Sequence, residues 1–221
     1  LPGYEIAASQ RTCEAVGGDL YDAALLDDGR AFLCLGDVSG KGIAAALLMS
    51  DVLATIRALR PLVPTANEIV RLLDRHLLQT TQDENYLTLF LAKVDAAGHR
   101  LTYVNAGHPP AYVLRPDGRV DRLDSTGPPV GLIDLPELRF ERAEVLLAPG
   151  TSVIIYSDGI SEAERGSEQF ADHRFETVLR ELAGAGAQEI VRRLEAEVAA
   201  WIGDARPKDD LTLLVVRRAP V

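Results

Sequence analysis

Hydrophobic and polar positions divide the chain into stretches of two different periods. Tyr4–Thr12 reads as a strand, broken by Val16-Gly17-Gly18-Asp19, whose glycine pair permits a bulge or tight turn. Leu20–Leu26 and Arg30–Asp37 resume as strands around an Asp27-Asp28-Gly29 hairpin turn. The period then lengthens. Gly42 to about Leu59 is an alanine-rich helix stopped by Pro61, with small residues suited to close packing on a sheet. Thr65, with Glu68 three positions on, caps a second helix running to about Thr80. Its Ile69, Leu72, Leu73 and Leu77 form one face to bury.

Beyond Tyr86 the short period returns. Tyr86–Asp95, Leu101–Asn105, Ala111–Leu114 and Arg119–Leu123 are strands separated by Ala-Ala-Gly, Gly-His-Pro-Pro and Pro-Asp-Gly turns. Thr126–Gly131 is a Gly/Pro loop with Pro128-Pro129 extended. Arg139–Leu147 and Thr151–Ser157 make a hairpin about Ala148-Pro149-Gly150, and Ser152–Tyr156, apolar on both faces, marks a central strand. Ile160–Asp172 is polar and weakly patterned, and its composition predicts a mobile flap. Two helices, about Phe175–Leu182 and Gln188–Trp201, precede a last buried strand at Leu211–Val216. The pattern predicts two antiparallel sheets packed together with helices outside, and it shows neither an internal repeat nor a domain linker.

Composition narrows the setting. A chain of 221 residues, 47% of them hydrophobic, has enough apolar surface for one sizeable core in a single domain spanning 1–221. No uninterrupted apolar run reaches membrane-spanning length and no signal peptide is visible. Cys13 and Cys34 fall in strands without metal-site spacing, which favours reduced thiols and a cytoplasmic setting. A net charge of −10 argues against nucleic acid and against contact with an anionic membrane. Beginning at Leu1 rather than methionine, the chain reads as a piece, the C-terminal part of a longer sensor protein.

The chemistry concentrates in Leu33–Met49, where an apolar strand ends in Asp37, a glycine-rich turn follows (Gly36, Gly40, Gly42) and a helix begins. Such a corner can hold a metal ion and a phosphate. It is not a P-loop: only three residues separate Gly36 from Gly40-Lys41, and Gly42 stands where that motif has Ser or Thr. Taken alone it is equally an ordinary strand–turn–helix corner. Three further places put an aspartate beside an apolar strand and a turn: Gly18-Asp19, Tyr156-Ser157-Asp158-Gly159 and Lys208-Asp209-Asp210-Leu211. One such aspartate is usually a turn former or a helix cap. Four carboxylate corners repel one another unless a cation neutralises them, and oxygen-only donors suit Mg²⁺ or Mn²⁺. Two ions sharing a carboxylate would prepare a water for in-line attack on phosphorus, which points to phosphate-ester hydrolysis.

Five ordered segments then resemble a known family: VGGDLYD, GDVSGKGIAAALLM, NAGHPP, YSDGISEA and DDLTLLVV are similar to the PPM-type (type 2C-like) Ser/Thr protein phosphatases, in their bacterial SpoIIE/RsbU-like branch. The resemblance implies an α-β-β-α sandwich with a binuclear Mn²⁺/Mg²⁺ site. It also implies a phosphoserine or phosphothreonine protein as substrate, in this branch often a STAS-type anti-sigma-factor antagonist. Carried over by position, Asp37 corresponds to the bridging ligand and Val38 contributes its carbonyl. Asp158 and Asp209 match further ligands, and Asp19 matches an aspartate that meets metal directly or through water; Asp37 and Asp158 thereby act catalytically. Asp210 is a weaker candidate, and Asp22 is open between a third, weaker ion and a turn cap.

Two departures from the family stand out. Ser39 replaces a histidine that eukaryotic relatives use to protonate the leaving group, and Glu14 stands near their phosphate-gripping arginine. Arg11 and Lys41 are the substitutes for phosphate binding. His108 is expected to hold a strand end, whereas His76, His99 and His173 read as surface or helix residues. Control is expected through helices 42–59 and 65–80, because the first starts directly from Asp37. An upstream sensor or regulatory partner, or the second copy in a homodimer, would press on that pair. Two rivals remain: a catalytically weak or inactive module that binds a phosphoprotein or kinase, and another two-metal enzyme such as a nucleotide cyclase or small-molecule phosphatase.

Overall fold

The structure is a computed structural model that describes residues 1–81, 85–135, 137–172 and 174–220. In chain order come β1 (Tyr4–Arg11), β2 (Asp19–Leu25), β3 (Ala31–Val38), α1 (Gly42–Leu59), α2 (Ala66–Thr80), β4 (Leu87–Asp95) and β5 (Arg100–Ala106). Next are β6 (Ala111–Leu114), β7 (Val120–Leu123), β8 (Ala143–Leu146), β9 (Ser152–Tyr156) and α3 (Asp158–Ser161). The chain ends with β10 (Glu164–Arg165), β11 (Glu168–Gln169), α4 (Phe175–Glu181), α5 (Ala187–Ile202) and β12 (Leu211–Arg218). The expected α+β architecture of antiparallel sheets with helices is present. The chain falls into two compact units, each built on one five-stranded sheet.

The first unit comprises residues 16–108 and 124–146, together with Leu1. Its sheet runs β2-β3-β4-β5-β8 with every pair antiparallel. One face packs against α1 and α2: Val52, Ile56, Ile69, Leu73 and Leu77 meet Phe32, Cys34, Leu89, Leu91 and Val104, all of them buried. On the opposite face Leu33, Leu35, Phe90 and Ala92 are buried too, which is why β3 and β4 read as continuous apolar runs. Burial pushes the Cys34 thiol up to about 12, and both cysteines are free.

The expected apolar face of α2 differs at one position, Val70 being fully buried and Leu72 only half-buried. Its expected cap differs as well. The Thr65 hydroxyl donates to the Glu68 carboxylate at 2.5 Å and accepts no bond from the helix N–H groups, so a direct side-chain bond stands where the reciprocal box was expected. Only residues 143–146 of the expected strand 139–147 pair with β5, since Phe140 packs at Gly127 and Glu141 donates from its backbone to Thr126. Helix α1 is long and apolar enough to cross a membrane by length and composition, with 17% of that window buried. Ile43 and Leu47, one turn apart on it, are 74% and 68% exposed.

The second unit comprises residues 2–15, 109–123 and 147–221, in a sheet ordered β1-β12-β9-β6-β7, again antiparallel throughout. The central strand is β9, as its two apolar faces predict, and β12 beside it is buried from Thr212 to Arg217. Helix α5 lays Ile190, Val191, Leu194 and Val198 onto Ile154, Tyr156, Leu213 and Val215. Aromatic rings close this core: Phe175 meets Tyr156 edge-on at 4.6 Å between centroids and Phe170 at 6.0 Å.

The segment expected to be a mobile flap is folded. After α3 it forms the β10–β11 ribbon and a 3-10 turn at Phe170–Asp172. Its polar composition hides three anchors, Ile160, Ala163 and Phe170, all buried. Trp201 Nε1 donates to the Ala163 carbonyl at 2.8 Å, and the guanidinium groups of Arg165 and Arg174 lie over the indole at 3.9 and 4.6 Å. His173 lies outside the described residues.

Asp74 of α2 accepts the Gly131 N–H at 2.8 Å, and burial raises its pKa. A carboxyl with a raised folded pKa costs stability once pH climbs above its unfolded value of 3.8. Asp74→Asn keeps the acceptor and removes the buried charge, so its melting temperature is expected to exceed wild type at pH 7, the gap closing below about pH 4. Phe170→Ala is expected to cost about 3–5 kcal/mol in urea unfolding; a flap that were loose would tolerate it.

Candidate metal centre

Each unit carries its own group of the predicted acidic residues. In the first, antiparallel pairing sets Asp19 and Asp37 directly opposite as Cα partners on β2 and β3. Opposite residues share a face of the sheet, so both carboxylates emerge on one side. At the usual ~5 Å between such side chains, two like charges repel by about 3 kcal/mol at an effective dielectric near 20. Asp19 is also buried, at 2% exposure, where repulsion is least screened. Gly18 stands against the pair. A side chain there would place Cβ 3.0 Å from the Val38 carbonyl oxygen and 3.2 Å from Asp37 Oδ1. Glycine thus keeps open a small cradle that the carbonyl and the carboxylate both face, and this oxygen-only donor set with its adjoining Asp19 fits a hard divalent cation.

The surrounding turn is held firmly. Ser39 donates its N–H to the Tyr86 carbonyl and accepts the Tyr86 N–H on Oγ, each at 2.9 Å. Gly40 and Gly42 take φ of +94° and +76°, and between them Lys41 is extended and exposed at the start of α1. Gly36 lets Thr88 approach, since a Cβ there would sit 2.8 Å from the Thr88 carbonyl. Thr88 is the Cα partner of Asp37 on β4, and its hydroxyl bonds His108 Nδ1 at 2.8 Å. The His108 backbone N–H in turn donates to Asn105 Oδ1 at 2.9 Å. His108 therefore braces the strand beside Asp37. Asp22 lies farther along β2 among cations: Arg60 donates to it at 2.6 Å and Arg57 at 3.1 Å, which ties β2 to the end of α1.

In the second unit β9 delivers Asp158 to the first position of α3. Ser157 locks this corner to the start of β12, donating from Oγ to the Asp210 carbonyl at 3.2 Å and accepting the Thr212 N–H at 3.0 Å. Gly159 presses on the same strand, for a Cβ would come within 2.1 Å of the Asp210 carbonyl. Asp209 Oδ1 accepts the Asp210 N–H at 2.9 Å. Asp210 is buried and its Oδ1 accepts the Cys13 N–H at 2.8 Å, so this carboxylate anchors the β1 end. Ligand atoms of Cys13, Asp209 and Asp210 all lie within 4.8 Å of one another. Arg11 is exposed at the end of β1, opposite Leu211.

Five supporting residues escaped the sequence reading of roles. Ser157 and Asn105 lay inside quoted motifs, but a hydroxyl or amide that bonds backbone leaves no pattern. Thr88 and Gly18 gain their roles from register and close approach, and Cys13 from a strand pairing almost the length of the chain away.

Antiparallel sheets with helix layers and aspartates at the strand ends define a PPM-type phosphatase domain, also called PP2C-type. Within that class the chain belongs to the SpoIIE family, whose description, Stage II sporulation protein E (SpoIIE), matches residues 27–219. It is 31% identical over 153 residues to Phosphoserine phosphatase RsbP of Bacillus subtilis, covering 66% of this chain and 37% of that one. With Phosphoserine phosphatase RsbU of the same organism it shares 26% over 215 residues, covering 97% of this chain and 63% of the other. The solved RsbU and RsbW domains of Rv1364c from Mycobacterium tuberculosis superpose with a TM-score of 0.80 at 27% identity, covering all of this chain and 61% of that one. The chain spans less than two thirds of the length of the curated relatives it matches.

Gly159→Ala is expected to lower stability by about 1–3 kcal/mol, read as a shift of the urea midpoint, because the added carbon collides with backbone that cannot swing aside.

Proposed function

We propose that this chain is a metal-dependent phosphoserine/phosphothreonine protein phosphatase of bacterial signalling, working in the cytoplasm on a STAS-type anti-sigma-factor antagonist. The observation that carries the reading is the facing pair Asp19 and Asp37 beside the cradle at Gly18, a concentration of negative oxygen that a divalent cation relieves. Membership of the SpoIIE family supports it, as do relatives named phosphoserine phosphatases.

In this reading, which carries ligands over by position from the SpoIIE family's motifs, Asp19, Asp37, the Val38 carbonyl, Asp158 and Asp209 are the candidate ligands of two Mn²⁺ or Mg²⁺ ions. Bound ions supply the Lewis acidity that makes water nucleophilic at neutral pH. Arg11 and Lys41 offer positive charge to the phosphate, and both are exposed where a protein substrate can reach them. Asp210 and Asp22 are given supporting roles, the first because it holds the Cys13 backbone and the second because Arg57 and Arg60 already hold it. His108 is a positioning residue acting through Thr88. Partners upstream in a longer chain, or a second copy, regulate through α1 and α2, since α1 begins only a few residues past Asp37. The exposed Ile43 and Leu47 support a contact on that helix.

Phosphate release from a phosphoserine STAS protein, with Mn²⁺ titrated, tests this. Asp37→Ala and Asp158→Asn are expected to lower kcat/KM by at least about 100-fold, and chelation of the metal to abolish turnover reversibly. Full activity in both variants overturns the reading. No turnover by the wild-type chain, with phosphoprotein binding retained, establishes the inactive regulatory module, whereas hydrolysis of nucleotides in preference establishes a small-molecule enzyme.

A further inference from the structure

The β2–β3 hairpin has a second charged end. Beside its turn and the α1–α2 connection, the first unit contains a cavity of about 440 Å³ with Arg30, Arg57, Arg60 and Lys93 in its wall. That volume lies within the roughly 300–1,000 Å³ of small-molecule sites. Lys93 is the unusual member. It lies near the C-terminal end of β4, is 5% exposed, and donates to the Val63 and Pro64 carbonyls at 3.1 and 2.9 Å. Among the described residues no carboxylate lies within ion-pairing distance of it. Desolvation accordingly lowers its pKa, with Arg30 pushing the same way. Its hydrogen-bond partners are neutral and Asp28 and Glu68 offset the burial only in part, so the ammonium is costly there and a counter-ion from outside reduces the cost.

The arginines do not supply that counter-ion, and they are only partly satisfied themselves. Arg30 is engaged by Asp28, while Arg57 and Arg60 share the single carboxylate of Asp22. Arg60 gives Asp22 one N–H and rests over the Phe32 ring at 6.0 Å. The wall itself carries four cations and two carboxylates, Asp27 and Asp28, while Asp22, Glu68 and Asp95 act on its cations from outside the lining. Guanidinium forks beside an ammonium suit a phosphoryl group better than a lone carboxylate. The rim is apolar, with Leu62 and Leu25 exposed at 78% and 64%, which gives the remainder of a ligand a surface to cover.

We propose that this cavity binds a small phosphorylated molecule, its anionic group seated on Lys93 and Arg30 and its body against the Leu25–Leu62 rim. The site stands apart from Asp19 and Asp37, at the opposite end of β2 and β3. It does not depend on the phosphatase reading.

Isothermal titration of the full chain in metal-free buffer, with inorganic pyrophosphate and AMP as separate probes, tests it. One-to-one binding is expected, weakened at least about tenfold by Lys93→Met and by Arg30→Gln, each of which removes a charged hydrogen-bond donor. Lys93→Met is expected to fold at least as stably as wild type, and Arg30→Gln, near the surface, carries the test independently. Tighter binding of AMP identifies a ligand whose body uses the rim, and tighter binding of pyrophosphate a compact polyanion. No binding of either probe at about 10 mM, or equal affinity in both variants, overturns the proposal.

Discussion

Two negative charges set side by side across β2 and β3 are the constraint around which the first unit is arranged. Asp19 and Asp37 cannot separate, because strand register holds their backbones opposite each other, and Asp19 cannot turn out to water because it is buried. The neighbouring structure holds them in place. Gly18 withholds a side chain so that the Val38 carbonyl joins the group, and Gly36 draws the Thr88 backbone close. His108 and Asn105 then fix that strand from behind. In the proposed function a cation offsets this repulsion, so metal affinity and the stability of the β2–β3 end are linked quantities.

Most of the fold was legible from periodicity. Helix α1 and strand β6 begin and end where the pattern placed them, the other expected elements differ by a residue or a few, and β8 and β9, expected as one hairpin, pair in different sheets. Errors arose where a polar stretch hid a few decisive apolar anchors, as at Ile160, Ala163 and Phe170, or where a loop residue such as Phe140 preferred burial to strand pairing. The cap of α2 went astray for a different reason: Thr65 and Glu68 have the right spacing for a box, and spacing does not tell a box from a direct hydroxyl–carboxylate bond. The acidic corners were legible because each is a strand end followed by a turn. Their supports were not, since Thr88, Ser157 and Cys13 act through register and backbone contacts that join distant parts of the chain.

Charge is sorted along the β2–β3 hairpin. Carboxylates sit at one end and cations gather at the other, six residue steps or roughly 20 Å away at about 3.3 Å per step, within a chain that is acidic overall. Asp22 lies between these ends, and its arginine pair belongs to the last turn of α1 and its cap. Helix α1 thus starts from the carboxylate end and finishes at the cationic end. A shift of that helix would act on both ends at once, and two ion pairs at Asp22 oppose it.

The setting of Trp201 makes the second unit readable by light. It is the sole indole of the chain, and its ring rests under two guanidinium groups while its N–H is tied to the carbonyl of Ala163. Because Ala163 closes the short segment that starts at Asp158, emission wavelength and quenching from this one fluorophore follow the segment without any introduced label.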